Sequence, residues 1–222
     1  DVLDAYGDLL APDVEVESDP ERFYERVVRL DLDGLEPQVS GPHSPDRVRP
    51  ISRFAAELAS DKALCETLSA ALIGSCTNSS YEDISRSAHV AQQALKAGLK
   101  AKASFLISPG SERIYHTMKR DGFLETFEKL GGTVLSNSCG PCIGQWKRAD
   151  GVKGKADSIV SSFNRNFPGR NDGINETLSF LASPEVVTAY ALSGDLGFDP
   201  VHGTLKGVDG KEFKLEPPQG EE

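Results

Sequence analysis

The chain has 222 residues, with 24 lysines and arginines against 34 aspartates and glutamates, a formal charge of −10. That length suits one α/β domain with interior enough for a core, and an acidic balance without a basic stripe argues against sequence-independent nucleic-acid binding. No apolar run approaches the roughly 18 residues of a membrane span, and four cysteines, in the spacing described below, point to a reducing compartment and not to a disulfide scaffold.

Residues 1–35 read as the remnant of a preceding domain with its linker, and 36–222 as the main domain, ending in a loose tail from Pro217. Residues 1–19 are acidic and contain proline, and are expected to be poorly ordered or packed opportunistically. Residues 26–32 alternate apolar and polar side chains as a half-buried strand does. Residues 37–46 read as a loop, and a helix starts at 51–58. The apolar run 69–74 predicts a buried strand stopping at Gly74; 81–97 has helical spacing (Ile84, Ala88, Ala91, Leu95) closed by Gly98. Strand, helix and strand are predicted for 103–107, 110–120 and 133–135, and Ile159 and Val160 end a further strand. Ser183 as N-cap and Pro184 at the first position open a helix to about residue 193. Such alternation implies a mainly parallel sheet covered on both faces, a three-layer α/β/α fold.

Three cysteines fall in loops that follow predicted strands: Cys76 in Gly-Ser-Cys-Thr-Asn-Ser-Ser, then Cys139 and Cys142 in Ser-Cys-Gly-Pro-Cys-Ile-Gly-Gln-Trp. Ligands of open α/β sheets collect beyond the carboxyl ends of the strands, so both loops are expected at one edge of one sheet. Structural zinc and electron-carrying clusters normally take four protein ligands. Three thiolates leave one metal position open for water or substrate. A lone C-x-x-C also suits a zinc half-site or a redox dithiol. However, no second pair completes a zinc site, because His43, His89, His116 and His202 are scattered and none lies near either cysteine loop. Cys65 reads as a small apolar helix residue without a ligand role.

After the strand ending at Val160, Ser-Ser-Phe-Asn-Arg-Asn-Phe-Pro-Gly-Arg-Asn-Asp (161–172) must be a loop. Arg165 and Arg170 in it can face one anionic ligand, since a guanidinium matches a carboxylate bidentately and stays charged. The alternative is a pair of surface arginines bridged to Asp172 or Glu176. Ser108-Pro-Gly-Ser-Glu112 either binds an anion at a helix N-terminus or, the preferred reading, supplies Ser111 and Glu112 as cap and dipole partner of that helix.

Four segments together carry a resemblance: Leu72-Ile-Gly-Ser-Cys-Thr-Asn-Ser-Ser-Tyr-Glu-Asp83, Ser108-Pro-Gly-Ser-Glu112, Cys139-Gly-Pro-Cys-Ile-Gly-Gln-Trp146 and Asn164-Arg-Asn-Phe-Pro-Gly-Arg-Asn-Asp172. The chain resembles the third domain of the aconitases, in the mitochondrial-type branch that includes homoaconitase, from about Tyr24 to about Pro217. The resemblance implies a 4Fe-4S cluster held by Cys76, Cys139 and Cys142, with Asn164 beside it and Arg165 and Arg170 on substrate carboxylates. An isomerase of leucine biosynthesis shares the Ser-Cys-Thr-Asn and Asn-Arg-Asn-Phe-x-Gly-Arg stretches. The form Cys-Gly-Pro-Cys-Ile-Gly-Gln-Trp resembles the aconitase side.

The resemblance further implies a hydro-lyase of the tricarboxylic acid cycle acting on citrate and isocitrate. Its serine base, histidines and carboxylates lie in other domains, so the chain is expected to be an excised, inactive piece whose partners are those domains in cis and a tricarboxylate. The implied location is the mitochondrial matrix in a eukaryote and the cytoplasm in a bacterium. A non-catalytic iron–sulfur or metal-binding module is the competing class, with homoaconitase and the leucine-pathway isomerase as neighbouring activities.

Overall fold

The computed structural model describes residues 2–137, 139–148, 150–151, 154 and 157–219. Asp1 and residues 220–222 of the expected tail lie outside them. Two compact units are present, residues 1–35 and 36–222.

The first unit carries α1 (Val2–Leu10) and α2 (Val14–Ser18), followed by a 3-10 turn at Pro20–Arg22. Residues 2–10 and 14–18 are therefore helical where an unordered segment was expected; Asp4 in the first turn of α1 and Glu15 and Glu17 in α2 sit where the helix dipole favours an anion. The strand expected at 26–32 does not form. Val28, Leu30 and Leu32 are 68, 72 and 74% exposed, so the alternation has no sheet face to bury, and alternation alone does not make a strand without a neighbour to pair with.

The second unit is built on a seven-stranded sheet in the order β2-β1-β7-β6-β3-β4-β5. Its strands are β1 (Gln38–Ser40), β2 (Val48–Pro50), β3 (Leu68–Gly74), β4 (Ser104–Ser108), β5 (Thr133–Val134), β6 (Asp157–Ser161) and β7 (Thr177–Leu181). From β7 through β6, β3 and β4 to β5 all pairings are parallel, while β1 is antiparallel to both β7 and β2. The edge strand β1 occupies part of the segment 37–46 read as loop. A hairpin of β8 (Thr204–Lys206) and β9 (Glu212–Lys214) follows the sheet.

Central strands buried on both faces read as continuous apolar runs, and β3, Leu-Ser-Ala-Ala-Leu-Ile-Gly, is one. Its side chains alternate between two cores. Ala71 and Ile73, with Phe105, Ile107, Val160 and Phe180, pack against α3 (Ile51–Ser60), α4 (Tyr81–Lys96), α6 (Phe123–Leu130) and α7 (Pro184–Ser193). Ala70 and Leu72, with Leu106 and Ile159, meet Cys142, Phe163 and Trp146 on the other face. The three-layer α/β/α arrangement thus has unequal outer layers: long helices on one face, and on the other, among the described residues, a 3-10 helix, Gly140–Ile143, with its flanking loops.

Local chemistry sets the helix ends. At α4 the Ser80 hydroxyl accepts from the Asp83 amide while the Asp83 carboxylate accepts from the Ser80 amide, a reciprocal cap. Ser111 caps α5 (Glu112–Arg120) through the Ile114 amide, with Glu112 in the first turn, the preferred structural reading of that segment. Ser183 and Pro184 do start α7, but the Ser183 side chain makes no cap bond. At the other end, Glu216 and Gln219 hydrogen-bond to Gln93 and His89 of α4.

One glycine is required by the sheet itself. Gly74 has φ +99°, and a Cβ there would lie 2.0 Å from the Ser108 carbonyl oxygen. Gly74→Ala is expected to lower unfolding free energy by more than ~2 kcal/mol, read as a shift of the urea midpoint at constant m; an unchanged midpoint would mean that the β3–β4 approach is not as close as described.

A candidate metal centre at the carboxyl edge of the sheet

Parallel pairing sends the chain out of β3, β4, β5 and β6 at the same edge, and every residue singled out in the sequence for site chemistry follows one of these strands. The order of β3 to β6 also makes the edge a switch point: the chain moves from β3 outward to β4 and β5, then returns to place β6 on the opposite side of β3. Loops diverge there and leave a crevice.

The loop after β3 carries Cys76. Ser75 adopts a left-handed φ of 65° and its amide donates to Ser108 O at 2.7 Å. The Gly74 amide donates to Ser162 Oγ at 3.1 Å, and Asn78 Nδ2 donates to Ser162 O. Cys76 is thereby held between the ends of β4 and β6 with its side chain exposed. Gly110 completes the fit, since a Cβ on it would meet Ser79 Oγ at 2.0 Å.

The loop after β5 carries Cys139, exposed, and Cys142, buried in the smaller core at 7% exposure. Gly144 closes the 3-10 helix in the left-handed region at φ +79°, where its backbone lies close to that of Arg170. Cys76, Cys139 and Cys142, all free thiols, line one cavity of about 80 Å³ together with Ser75, Pro109, Gly110 and Asn137. Asn137 Nδ2 donates to Glu112, and its Oδ1 is buried without a partner. No histidine lines this cavity, and Cys65 is not part of it. Among the described residues no three His, Cys, Asp or Glu side chains converge on one ion.

The segment after β6 does not enter a helix; residues 162–176 return to β7 as loop. Asn164 and Arg165 are exposed, and Arg165 Nη1 donates to the Asn164 carbonyl at 3.3 Å. Arg170 is half-buried, and its Nε is buried with no hydrogen-bond partner. Among the described residues neither Arg165 nor Arg170 is paired with Asp172 or Glu176, and Asp172 has other partners. It accepts from Thr177 Oγ1 at 2.7 Å and the Ile174 amide at 3.0 Å, and pairs with Arg148 Nη1 at 3.3 Å.

Arg148 and Asn171 are the residues that sequence reasoning missed. The Arg148 side chain is 1% exposed, pairs with Asp150, Asp157 and Asp172, and lies over the Trp146 ring at 5.6 Å. Its hydrogen bond holds the Asp150 carboxyl below the ordinary aspartate range. Asn171 Nδ2 donates to Pro141 O at 3.1 Å, and Asn171 Oδ1 accepts from Ser179 Oγ at 2.8 Å. Both residues bind the arginine loop to the cysteine turn. Their partners lie 2 to 30 positions away in sequence and follow no linear pattern; the one sequence signal is the basic pair Lys147-Arg148 next to Trp146.

The chain is thus an open, mostly parallel α/β domain with three free thiols lining a cavity at its switch point. Comparison with known proteins is more specific: residues 5–194 match the Aconitase family (aconitate hydratase), and the chain belongs to that family. It is 54% identical over 92% of its length to the "Probable aconitate hydratase, mitochondrial" of Dictyostelium discoideum, 26% of whose length is covered. The mitochondrial aconitate hydratases of Saccharomyces cerevisiae and Schizosaccharomyces pombe are 51% and 50% identical over 97% of the chain, with 27% of each covered. The chain spans about a quarter of the length of the curated relatives it matches.

Asn171→Ala removes one buried donor and one buried acceptor and leaves Pro141 O and Ser179 Oγ unsatisfied. The expected loss is about 1–3 kcal/mol in equilibrium denaturation, with Asn171→Asp, which sets a buried acceptor-only carboxylate against Pro141 O, losing at least as much.

Proposed function

We propose that this chain is the cluster-binding part of an aconitate hydratase, the parent enzyme interconverting citrate and isocitrate through cis-aconitate by dehydration and rehydration. The observation that carries the reading is the convergence of three thiols, Cys76, Cys139 and Cys142, on one cavity; the arginine loop that follows β6 also holds a guanidinium, that of Arg170, with an unpartnered buried nitrogen. The donor set fits a 4Fe-4S cluster: thiolates are the ligands such clusters take, and only three line the cavity. Relatives named as aconitate hydratases favour citrate over the homologated tricarboxylate of homoaconitase and over the leucine-pathway substrate.

In this reading the three cysteines hold the cluster and Asn164 lies beside it. When bound, the cluster supplies a Lewis-acid iron without a protein ligand, which polarises a hydroxyl and a carboxyl group of the substrate. Arg170 and Arg165 bind the remaining carboxylates. Arg170 is the better prepared of the two, because a half-buried guanidinium with a free Nε gains a charge-assisted hydrogen bond where water competes less. The smaller core on which Cys142 sits keeps water from one side of the cavity. The groups that take and return the proton belong to other domains of the parent in cis, so the chain alone does not turn over. Relatives named as mitochondrial support a mitochondrial matrix location in a eukaryote; a bacterial parent is placed in the cytoplasm.

Anaerobic reconstitution of the chain with iron and sulfide tests the ligand set. A broad visible charge-transfer absorbance is expected, abolished by Ser at position 76, 139 or 142 and retained in Cys65→Ser; a full cluster surviving Cys139→Ser overturns the assignment. In the parent enzyme at constant cluster content, Arg165→Lys and Arg170→Lys are expected to cost about 2–5 kcal/mol in transition-state binding, since a point charge on a flexible stem does not reproduce a bidentate fork. Steady-state kinetics on citrate and isocitrate measure it, and unchanged kcat/KM in both variants would return the arginines to a surface role.

A further inference from the structure

We propose that Arg148 is a positioning residue that locks the cysteine turn to the arginine loop, and so sets where Cys142 and Arg170 stand relative to each other. This rests on the proposed function only for what the lock is used for. Three observations carry the lock itself.

First, the guanidinium is enclosed, at 1% exposure, and its donors go to three separate stretches: Nη1 to Asp172 of the arginine loop at 3.3 Å, Nη2 to Asp157 at the start of β6, and Nη2 and Nε to Asp150 of its own loop at 3.2 and 3.3 Å. Second, the partners are themselves fixed. Asp172 holds Thr177 Oγ1 and the Ile174 amide, and Asp157 accepts from Ser69 Oγ of β3. Third, Arg148 is six residues after Cys142 and Asp172 is two after Arg170. The lock is reinforced at Trp146, whose ring lies under the guanidinium and packs in the same small core as Cys142. A planar fork with donors on three sides can serve three carboxylates at fixed angles, which a lysine ammonium cannot. A residue needed only for stability would not have to join these two loops in particular.

The test is thiol alkylation followed by mass spectrometry on the metal-free 222-residue chain, with Arg148→Met, Arg148→Lys and the milder Asp172→Asn. Cys142, buried, is the reporter; Cys65, half-buried and outside the cavity, reports global opening. The expected result is a rise of at least tenfold in the alkylation rate of Cys142 in Arg148→Met, a smaller rise in Arg148→Lys and Asp172→Asn, and a Cys65 rate within twofold of the unmodified chain. Equal rises at both cysteines in all three variants, or no rise at Cys142, overturn the lock.

A second arm measures citrate affinity of the reconstituted parent enzyme in a double-mutant cycle with Arg170→Met. Weakening by Arg148→Met that disappears when Arg170 is already absent is expected, because contacts acting through one another are not additive. Additive losses overturn the claim that Arg148 acts through Arg170. A parent that binds no citrate while the Cys142 pattern holds refutes the proposed function and leaves the lock standing.

Discussion

Parallel register is the constraint from which the site follows. Gly74 pairs with Ser108, Leu72 with Ser161 and Ile107 with Val134, so the ends of four strands lie within about two residues of one another and their loops are forced into one neighbourhood. The hydrogen-bond ladder does not choose which residues those loops contain, but it determines that residues separated by 63 positions, as Cys76 and Cys139 are, arrive within reach of a common cavity. The close approach of Gly74 to Ser108 O tightens the same register at the point where the chain turns toward Cys76. A side chain there would push apart the two strands that bring the loops together.

The two faces of the sheet are stabilised differently. On the helical face, burial of long apolar side chains such as Phe54, Phe105, Phe127 and Tyr190 supplies a large non-directional term. The opposite face has few such side chains, and its loops are held by directional contacts: Asn171 to Pro141 and Ser179, Asn78 to Ser162, Arg148 to three carboxylates. Polar contacts in a loop layer specify geometry more than they add stability, and a buried ion pair is costly to break on one side only. A layer of this kind suits a site in which the direction of a few side chains matters.

Much of this arrangement was legible in the sequence. The apolar run of β3, the helical spacing and cap of α4, and the strands before Cys139 and Asn164 each left a local signature, and the parallel topology followed from their alternation. What was not legible has physical reasons. The helix at Phe123–Leu130 carries Phe123, Phe127 and Leu130 on one face but is only eight residues long with a glycine at each end, too short for its period to stand out. The edge strands β1 and β2 have three residues each, too few for a period to show. At 26–32 the opposite error arose, a period with no partner strand to use it. The Arg148 ion pairs could not be found from spacing at all, since an ion pair between loops leaves no periodicity, and each of its members taken singly is an ordinary charged residue.

Cys142 is at once a lining residue of the cavity and a member of the six-residue apolar core on the loop-covered face. Occupancy of the cavity and integrity of that layer are therefore two faces of one thermodynamic linkage. Any group that binds Cys142 only in its seated position stabilises the layer by RT ln(1 + [L]/Kd), and any substitution that loosens the layer lowers the apparent affinity by the fraction of chains left seated. Affinity measured at Cys142 thus contains a conformational free energy, whereas the exposed Cys76 and Cys139 contribute their bonds without one.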